Sequence, residues 1–296
     1  MSLRSFLTGA VVALGVAASA ATAAAETVRM AVTDVAGLEQ LRREWSAFTE
    51  KMKEYTGYTI EFAPVTSRTA AVELLRSENV DLVLTGPAEY VVINKLTEAK
   101  PLLGFSRPDY FSGIIVMADS GITAVSQLEG KKVAMGDIGS TSSHLGPSAV
   151  LADYGIDPTQ DIEVIHTADK IGYESLKRGD VAAWGTNYMS DFVPLRAAET
   201  ALSPGAFRVI ARGPDLPNDI MMVGAHVSDE IAETIRAAVV EHSDDLIHAI
   251  VAEGGEENQK YDGMQFIAEV KDSDYDYIRK AYATIGHPEF GEFVGD

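Results

Sequence analysis

No cysteine occurs anywhere in the sequence. Disulfides, zinc–thiolate sites and cysteine nucleophiles are therefore excluded, and the chain must be held by core packing alone. Positive charge is scarce as well. Against 44 Asp and Glu stand 24 Lys and Arg, a net charge of −20 that argues against nucleic acid or an anionic membrane as partner. Catalytic signatures are also thin. There is no HExxH and no GxSxG, and Gly136-x-x-Gly139 lacks the lysine of a phosphate-binding loop. His242 and His248 are six apart and do not share a helix face, so no paired metal site is expected. A Ser142/His166/Asp169 hydrolase triad can be composed on paper, but nothing in the spacing fixes its geometry. No segment after the N-terminus offers the ~20 apolar residues of a membrane span.

What is present begins with a leader. Arg4 is followed by an apolar stretch from Phe6 to Ala18 and by Ala23-Ala24-Ala25. This pattern predicts a secretory signal peptide over residues 1–25, cut before Glu26. Export without cysteine or an anchor points to a periplasm, where chemistry that draws on ATP or NAD is disfavoured.

Beyond the leader, strand and helix patterns alternate. Strands are expected at 26–34, 58–65 and 81–84, with helices at 38–55, 70–77 and 88–96. A β-α-β-α-β-α order predicts a parallel sheet covered on both faces, with ligands outside the strand ends at Asp34–Gly37, Thr66–Thr69 and Thr85–Tyr90. A second α/β unit follows over 119–218, with Phe111–Ala118 leading into it and Ile220–His226 returning from it. The expected division is 26–118 plus 219–296 for one lobe and 119–218 for the other, joined by two hinge strands around a cleft.

One stretch organises the second unit: VAMGDIGSTSSHLGPSAVL, residues 133–151. It reads as strand, tight turn and helix start, with Ser140, Thr141, Ser142, Ser143 and His144 in a row. First-turn amides lack intrahelical partners and carry partial positive charge, so small hydroxyl side chains there make a site for an oxyanion. The same run also serves as an ordinary helix cap. In an acidic chain, anion binding has to come from local, oriented donors.

These segments together resemble the periplasmic phosphonate/phosphite/phosphate-type solute-binding proteins of ABC importers. The resemblance rests on Thr85-Gly86-Pro87 with Tyr90, on Gly139-Ser-Thr-Ser-Ser-His-Leu-Gly-Pro147, on His166, on Lys177–Ala183, and on Leu216-Pro217-Asn218-Asp219. It implies a type II periplasmic-binding-protein fold with the phosphonyl group on Ser140, Thr141, Ser142 and His166. Ser67, Arg68, Thr85 and Tyr90 would close from the opposite lobe, and Asp219 and Asn187 complete the candidate set. For His144, inside the helix start, capping, packing and ligand contact all stay open.

In aminophosphonate binders of that family acidic residues meet the amine. Here the strand end Trp184-Gly185-Thr186-Asn187 has no carboxylate and only Asp219 stands out, which favours phosphite, methylphosphonate or phosphate. The resemblance implies a monomeric receptor without cofactor or metal that delivers its ligand to an ABC permease. The alternatives are a binder of sulfonate or another organic anion and a secreted phosphoester hydrolase.

Overall fold

The computed structural model describes residues 26–33 and 37–289. The expected leader at 1–25 and the first strand end, Asp34–Ala36, lie outside the described residues. The chain opens with β1 (Thr27–Val32), β2 (Thr59–Phe62), β3 (Leu82–Thr85) and β4 (Lys100–Ser106). It continues through β5 (Phe111–Met117), β6 (Lys132–Met135), β7 (Glu163–His166), β8 (Ala183–Asn187) and β9 (Phe207–Asp215). It closes with β10 (Asp219–Val223) and β11 (Gln265–Ile267).

Two sheets result, in the orders β11-β4-β10-β3-β1-β2 and β7-β6-β8-β5-β9. Strands β2, β1 and β3 run parallel, as do β7, β6 and β8. The remaining pairs are antiparallel, so each sheet is mixed rather than purely parallel. With helices packed on the sheets, this is the two-lobed type II arrangement. Central strands are apolar because they are covered on both faces: every residue of β3 and of β10 is buried.

The sheet pairing differs from the expected division in one place. β5 pairs with β8 and β9, Ser112 opposite Asn187 and Phe111 opposite Asp215, so it belongs to the second sheet and not to a lobe spanning 26–118. An apolar strand buried on both faces is a sheet centre, not a tether. The chain therefore crosses between sheets in the short segments 107–110 and 216–218.

Two expected helices are broken. The 38–55 helix divides at Trp45 into Leu38–Glu44 and Ser46–Thr56, and the 228–253 helix divides at His242 into Asp229–Glu241 and Ser243–Glu253. Trp45 is buried edge-on against Phe48 and Tyr261, and His242 stacks on Tyr55 at 3.7 Å between ring centres. In each case a ring packs at the joint between two helices. Among the described residues no helix is long and apolar enough to cross a membrane.

The lobes share one apolar cluster. Leu145 and Ala149, from the helix of the second lobe, pack with Val91, Ile220, Ile278 and Tyr282 of the first. The last helix, Asp276–Thr284, lies against the helix Gly146–Asp153, and Lys280 Nζ meets Asp153 Oδ1 at 2.6 Å. On the other side of that contact a cleft opens between the sheets.

Candidate functional site

The cleft has a volume of about 870 Å³ and takes its walls from both lobes. Its second-lobe wall is the turn after β6. Gly139, at φ +86°, brings the chain round, and Thr141–Leu145 forms a single π-helical turn that runs into the helix Gly146–Asp153. π-turns inside helices recur at functional sites. Ser112 of β5 fixes this turn from below by donating to the Ser142 carbonyl at 2.7 Å.

Three hydroxyls in this turn share one property. Ser140 Oγ accepts from the Ser143 amide at 3.3 Å, and Thr141 Oγ1 accepts from the Ala88 amide at 3.0 Å. Ser142 Oγ accepts from Asn187 Nδ2 at 3.2 Å. A hydroxyl that already accepts from an N–H keeps its own proton to give away. All three border the cleft, so the wall presents O–H donors, joined by the first-turn amides of Thr141 and Ser142. Asn187 acts as a bracket: its Oδ1 accepts from the amides of Met189 and Ser190, and its Nδ2 orients Ser142.

The first-lobe wall is the start of the helix Pro87–Thr97. Its Ala88 amide reaches across to Thr141, so two helix starts meet over the cleft. Arg68 Nη1 donates to Glu89 Oε1 at 2.7 Å. Thr85, buried at the end of β3, shares a hydrogen bond with Thr33 at 2.8 Å. Arg107 donates to Asp219 Oδ2 through Nε, at 2.8 Å, and through Nη2. The Arg107 guanidinium also sits 4.4 Å above the Tyr110 ring. Asp219 is 4% exposed, and its Oδ1 is buried with no hydrogen-bond partner among the described residues.

Seven of the ten candidates thus border the cleft: Ser140, Thr141, Ser142, Arg68, Thr85, Asp219 and Asn187. Three do not. Ser67 shares its hydroxyl with Thr69 at 3.3 Å. Tyr90 is fully buried on the inner side of its helix, donating to Asp272 Oδ1 at 2.8 Å and packing on Tyr275. His166 ends β7, the edge strand of its sheet, one strand beyond the β6–β8 pair whose ends form the site. Its Nδ1 donates to the Gly136 carbonyl at 2.8 Å and its ring meets His144 edge-on. Ser140 is the N-cap of the turn, and His144 lies buried inside it: its Nδ1 accepts from the Gly139 amide at 3.0 Å, and burial, then the neighbouring His166, lower its pKa to about 3.

A larger correction concerns acid. Asp219 was the only carboxylate expected, yet Glu89, Asp137, Asp169, Asp191 and Asp262 also border the cleft, against only two guanidiniums. Asp169 opens the helix Asp169–Arg178 and Asp191 lies in the turn Tyr188–Phe192. Both arrive a few residues beyond their strand ends, where inspection of the strand-end residues alone misses them. Thr186 donates to Asp169 at 2.7 Å and Ser143 donates to Asp191 at 3.4 Å. Burial and then the Asp169 charge push Asp191 up to about 7, and burial is the main cause raising Asp169 as well. Among the described residues no three acids or histidines gather as a metal cluster. Arg107 and Tyr110 also went unforeseen, because they follow β4, a strand whose periodicity was not evident.

Comparisons with known proteins agree with this architecture. A family model described as "ABC transporter, phosphonate, periplasmic substrate-binding protein" matches residues 30–275. A curated relative, the phosphate-import protein PhnD of Mycolicibacterium smegmatis, is 30% identical over 138 residues, 44% of this chain and 43% of its own length. The chain thus matches less than half the length of that relative. Among solved structures, a binding protein component of an ABC phosphonate transporter from Pseudomonas aeruginosa superposes with a TM-score of 0.64 at 17% identity, covering 90% of this chain and 88% of that one. PhnD1 of Prochlorococcus marinus, in complex with methylphosphonate, gives 0.65 at 12% identity over 89% of this chain and all of the other (100%). The periplasmic aliphatic sulphonate binding protein SsuA of Escherichia coli gives 0.61 at 15% identity, covering 92% and 95%.

Proposed function

The chain belongs to the family of periplasmic substrate-binding proteins of phosphonate ABC transporters, and from that premise we propose that it captures a phosphorus oxyanion between its lobes and hands it to an ABC permease. The observation that carries this reading is the donor set of Ser140, Thr141 and Ser142, each hydroxyl accepting from an N–H and so left to donate. Such hydrogen bonds to an ionised oxygen are the stronger kind. Closure follows from the two facing helix starts. A ligand that touches both walls binds the closed arrangement better than an open one and shifts the population toward it.

The acidic lining selects within the class. A bare dianion would face six carboxylates and two already paired guanidiniums. A phosphonate whose organic part carries an ammonium group, or whose oxygen carries a proton, offers the donor that Asp219 Oδ1 lacks. A sulfonate of the kind in the SsuA name offers no such proton on its anionic group. The aminoalkylphosphonates set aside on sequence grounds therefore return as the favoured ligands.

Calorimetric titration with 2-aminoethylphosphonate, methylphosphonate, phosphate and an alkanesulfonate tests the assignment. A ligand at 100 times its dissociation constant should stabilise the protein by about 2.7 kcal/mol. Binding of the sulfonate with no response to any phosphorus oxyanion would overturn it.

A further inference from the structure

Arg107 has donors that its ion pair does not use. Its Nε and Nη2 both donate to a single oxygen of Asp219, Oδ2. A guanidinium carries five N–H groups in a planar fork, so this pairing occupies one edge of it. Nη1, away from that edge, has no hydrogen-bond partner among the described residues, and it is not one of the polar atoms sealed in the interior. The surface left on the pair belongs to the arginine. Its side chain is 16% exposed against 6% for Asp219, and Arg107 borders the cleft. Two further contacts put this charge beside the hydroxyl wall. The guanidinium lies 4.4 Å above the Tyr110 ring, and the Tyr110 hydroxyl interacts with Ser142. The Arg107 charge also reaches Asp191, on the second-lobe side of the cleft.

Resting on the oxyanion reading above, we propose that Arg107 is a ligand-binding residue: its Nη1 takes one oxygen of the phosphonyl group while the hydroxyl wall takes the others, and Asp219 is the positioning residue that holds the fork. The ion pair is what lets a cation serve an otherwise acidic cleft. Asp219 is buried behind the arginine, so the fork is fixed from the back and its free N–H groups face forward. Stacking on Tyr110 restricts the guanidinium further. Arg107 also stands in the segment 107–110, where the chain crosses between the sheets, so a ligand held there touches the crossing itself. The bland role, an arginine that only neutralises a buried Asp219, predicts a loss of stability on its removal but no change in ligand ranking.

Arg107→Gln combined with Asp219→Asn separates the roles. The double variant removes both charges together, keeps a neutral hydrogen-bonding pair and leaves no unpaired buried charge. Affinities for methylphosphonate and for its monomethyl ester, in which one of the three oxygens is capped, are measured by calorimetry on the unmodified protein and on the variant. Methylphosphonate should bind roughly 10- to 100-fold more weakly to the variant. The ester should lose less, so the preference for the free acid narrows. Arg107→Lys keeps the charge on Asp219 but has no second edge to offer. It should show the same pattern, and it keeps the test available if the double variant does not fold. Unchanged affinity, or equal losses for the two ligands, would reduce Arg107 to the counter-ion of Asp219 and overturn this inference alone. If the unmodified protein binds none of methylphosphonate, 2-aminoethylphosphonate and phosphate, the oxyanion reading falls, and this inference with it.

Discussion

The stretch from Ser140 to Ala149 faces two different surroundings within ten residues. One face gives Ser140, Thr141 and Ser142 to a polar cleft, and the other gives Leu145 and Ala149 to an apolar cluster shared with the last helix. The first face is held by single hydrogen bonds of 3.0 to 3.3 Å, whose net worth is about 1 kcal/mol each. The second is held by side chains packed with no exposure at all. The comparison teaches where recognition and strength reside: the apolar side fixes the helix in space, so the polar side can be left with donors to spare.

Breaking the apolar side should have the largest effect. Ile278 is fully buried in the shared cluster. Ile278→Ala is expected to cost about 2–5 kcal/mol in denaturant unfolding. Ligand affinity, corrected for the folded fraction, should change little, since Ile278 does not border the cleft. A deep loss of affinity in the folded variant would show that the brace shapes the cleft directly.

Breaking the polar side gives the converse. Ser142→Ala removes one donor to the ligand and leaves Asn187 Nδ2 without its acceptor. A hydrogen bond to a charged group is worth about 1.5–3 kcal/mol, so affinity for the best phosphonate should fall roughly 10- to 100-fold. Stability should drop by only about 1 kcal/mol. An unchanged dissociation constant would return the serine run to being a helix cap.

The same contrast explains what the sequence made legible. The hydroxyl run could be seen because consecutive residues of one type at a strand–helix junction carry their own explanation. The alternation of β1 and the apolar runs of β3, β5 and β6 were equally plain. β4 was missed, since KPLLGFS has a proline at its second position and no period-two pattern, and with it went Arg107 and Tyr110. β11, three residues long, left no periodic signal. The acids were lost for another reason. Asp169, Asp191 and Glu89 stand in three different helical segments, and only the folding of two sheets toward each other brings them to one cleft. Sequence spacing does not report such meetings. His166 and Tyr90 show the reverse error: each sits at the right place along the chain, but one lies on an edge strand and the other on the inner side of its helix.

The acidic pair makes a smaller prediction with a defined sign. Asp191 is raised from 3.8 to about 7, so the folded state holds a proton that the unfolded chain releases. Stability therefore falls as pH rises across that window. His144 is lowered from 6.5 to about 3, so its linkage has the opposite slope, with stability lost as pH falls from 6.5 toward 3. Over the shared window the two offset. Asp191→Asn should leave His144 unopposed. The variant should gain about 1–2 kcal/mol at pH 8 relative to the parent, and its melting temperature should drop more steeply on acidification. Parallel melting curves from pH 4 to 8 would show that Asp191 does not carry the proton.

The smallest effect separates two accounts of the apolar brace itself. Lys280 and Asp153 join the same two helices by an ion pair at 2.6 Å, but their side chains are 59% and 38% exposed. Exposed pairs are typically worth about 0–1 kcal/mol because solvent screens them and two long side chains must be held still. If apolar packing joins the lobes, Lys280→Ala should shift unfolding by less than about 1 kcal/mol and added salt should not change the parent's stability in parallel. A loss comparable to that of Ile278→Ala would mean that charge, rather than the buried cluster around Leu145 and Ala149, sets the position of the hydroxyl-bearing helix.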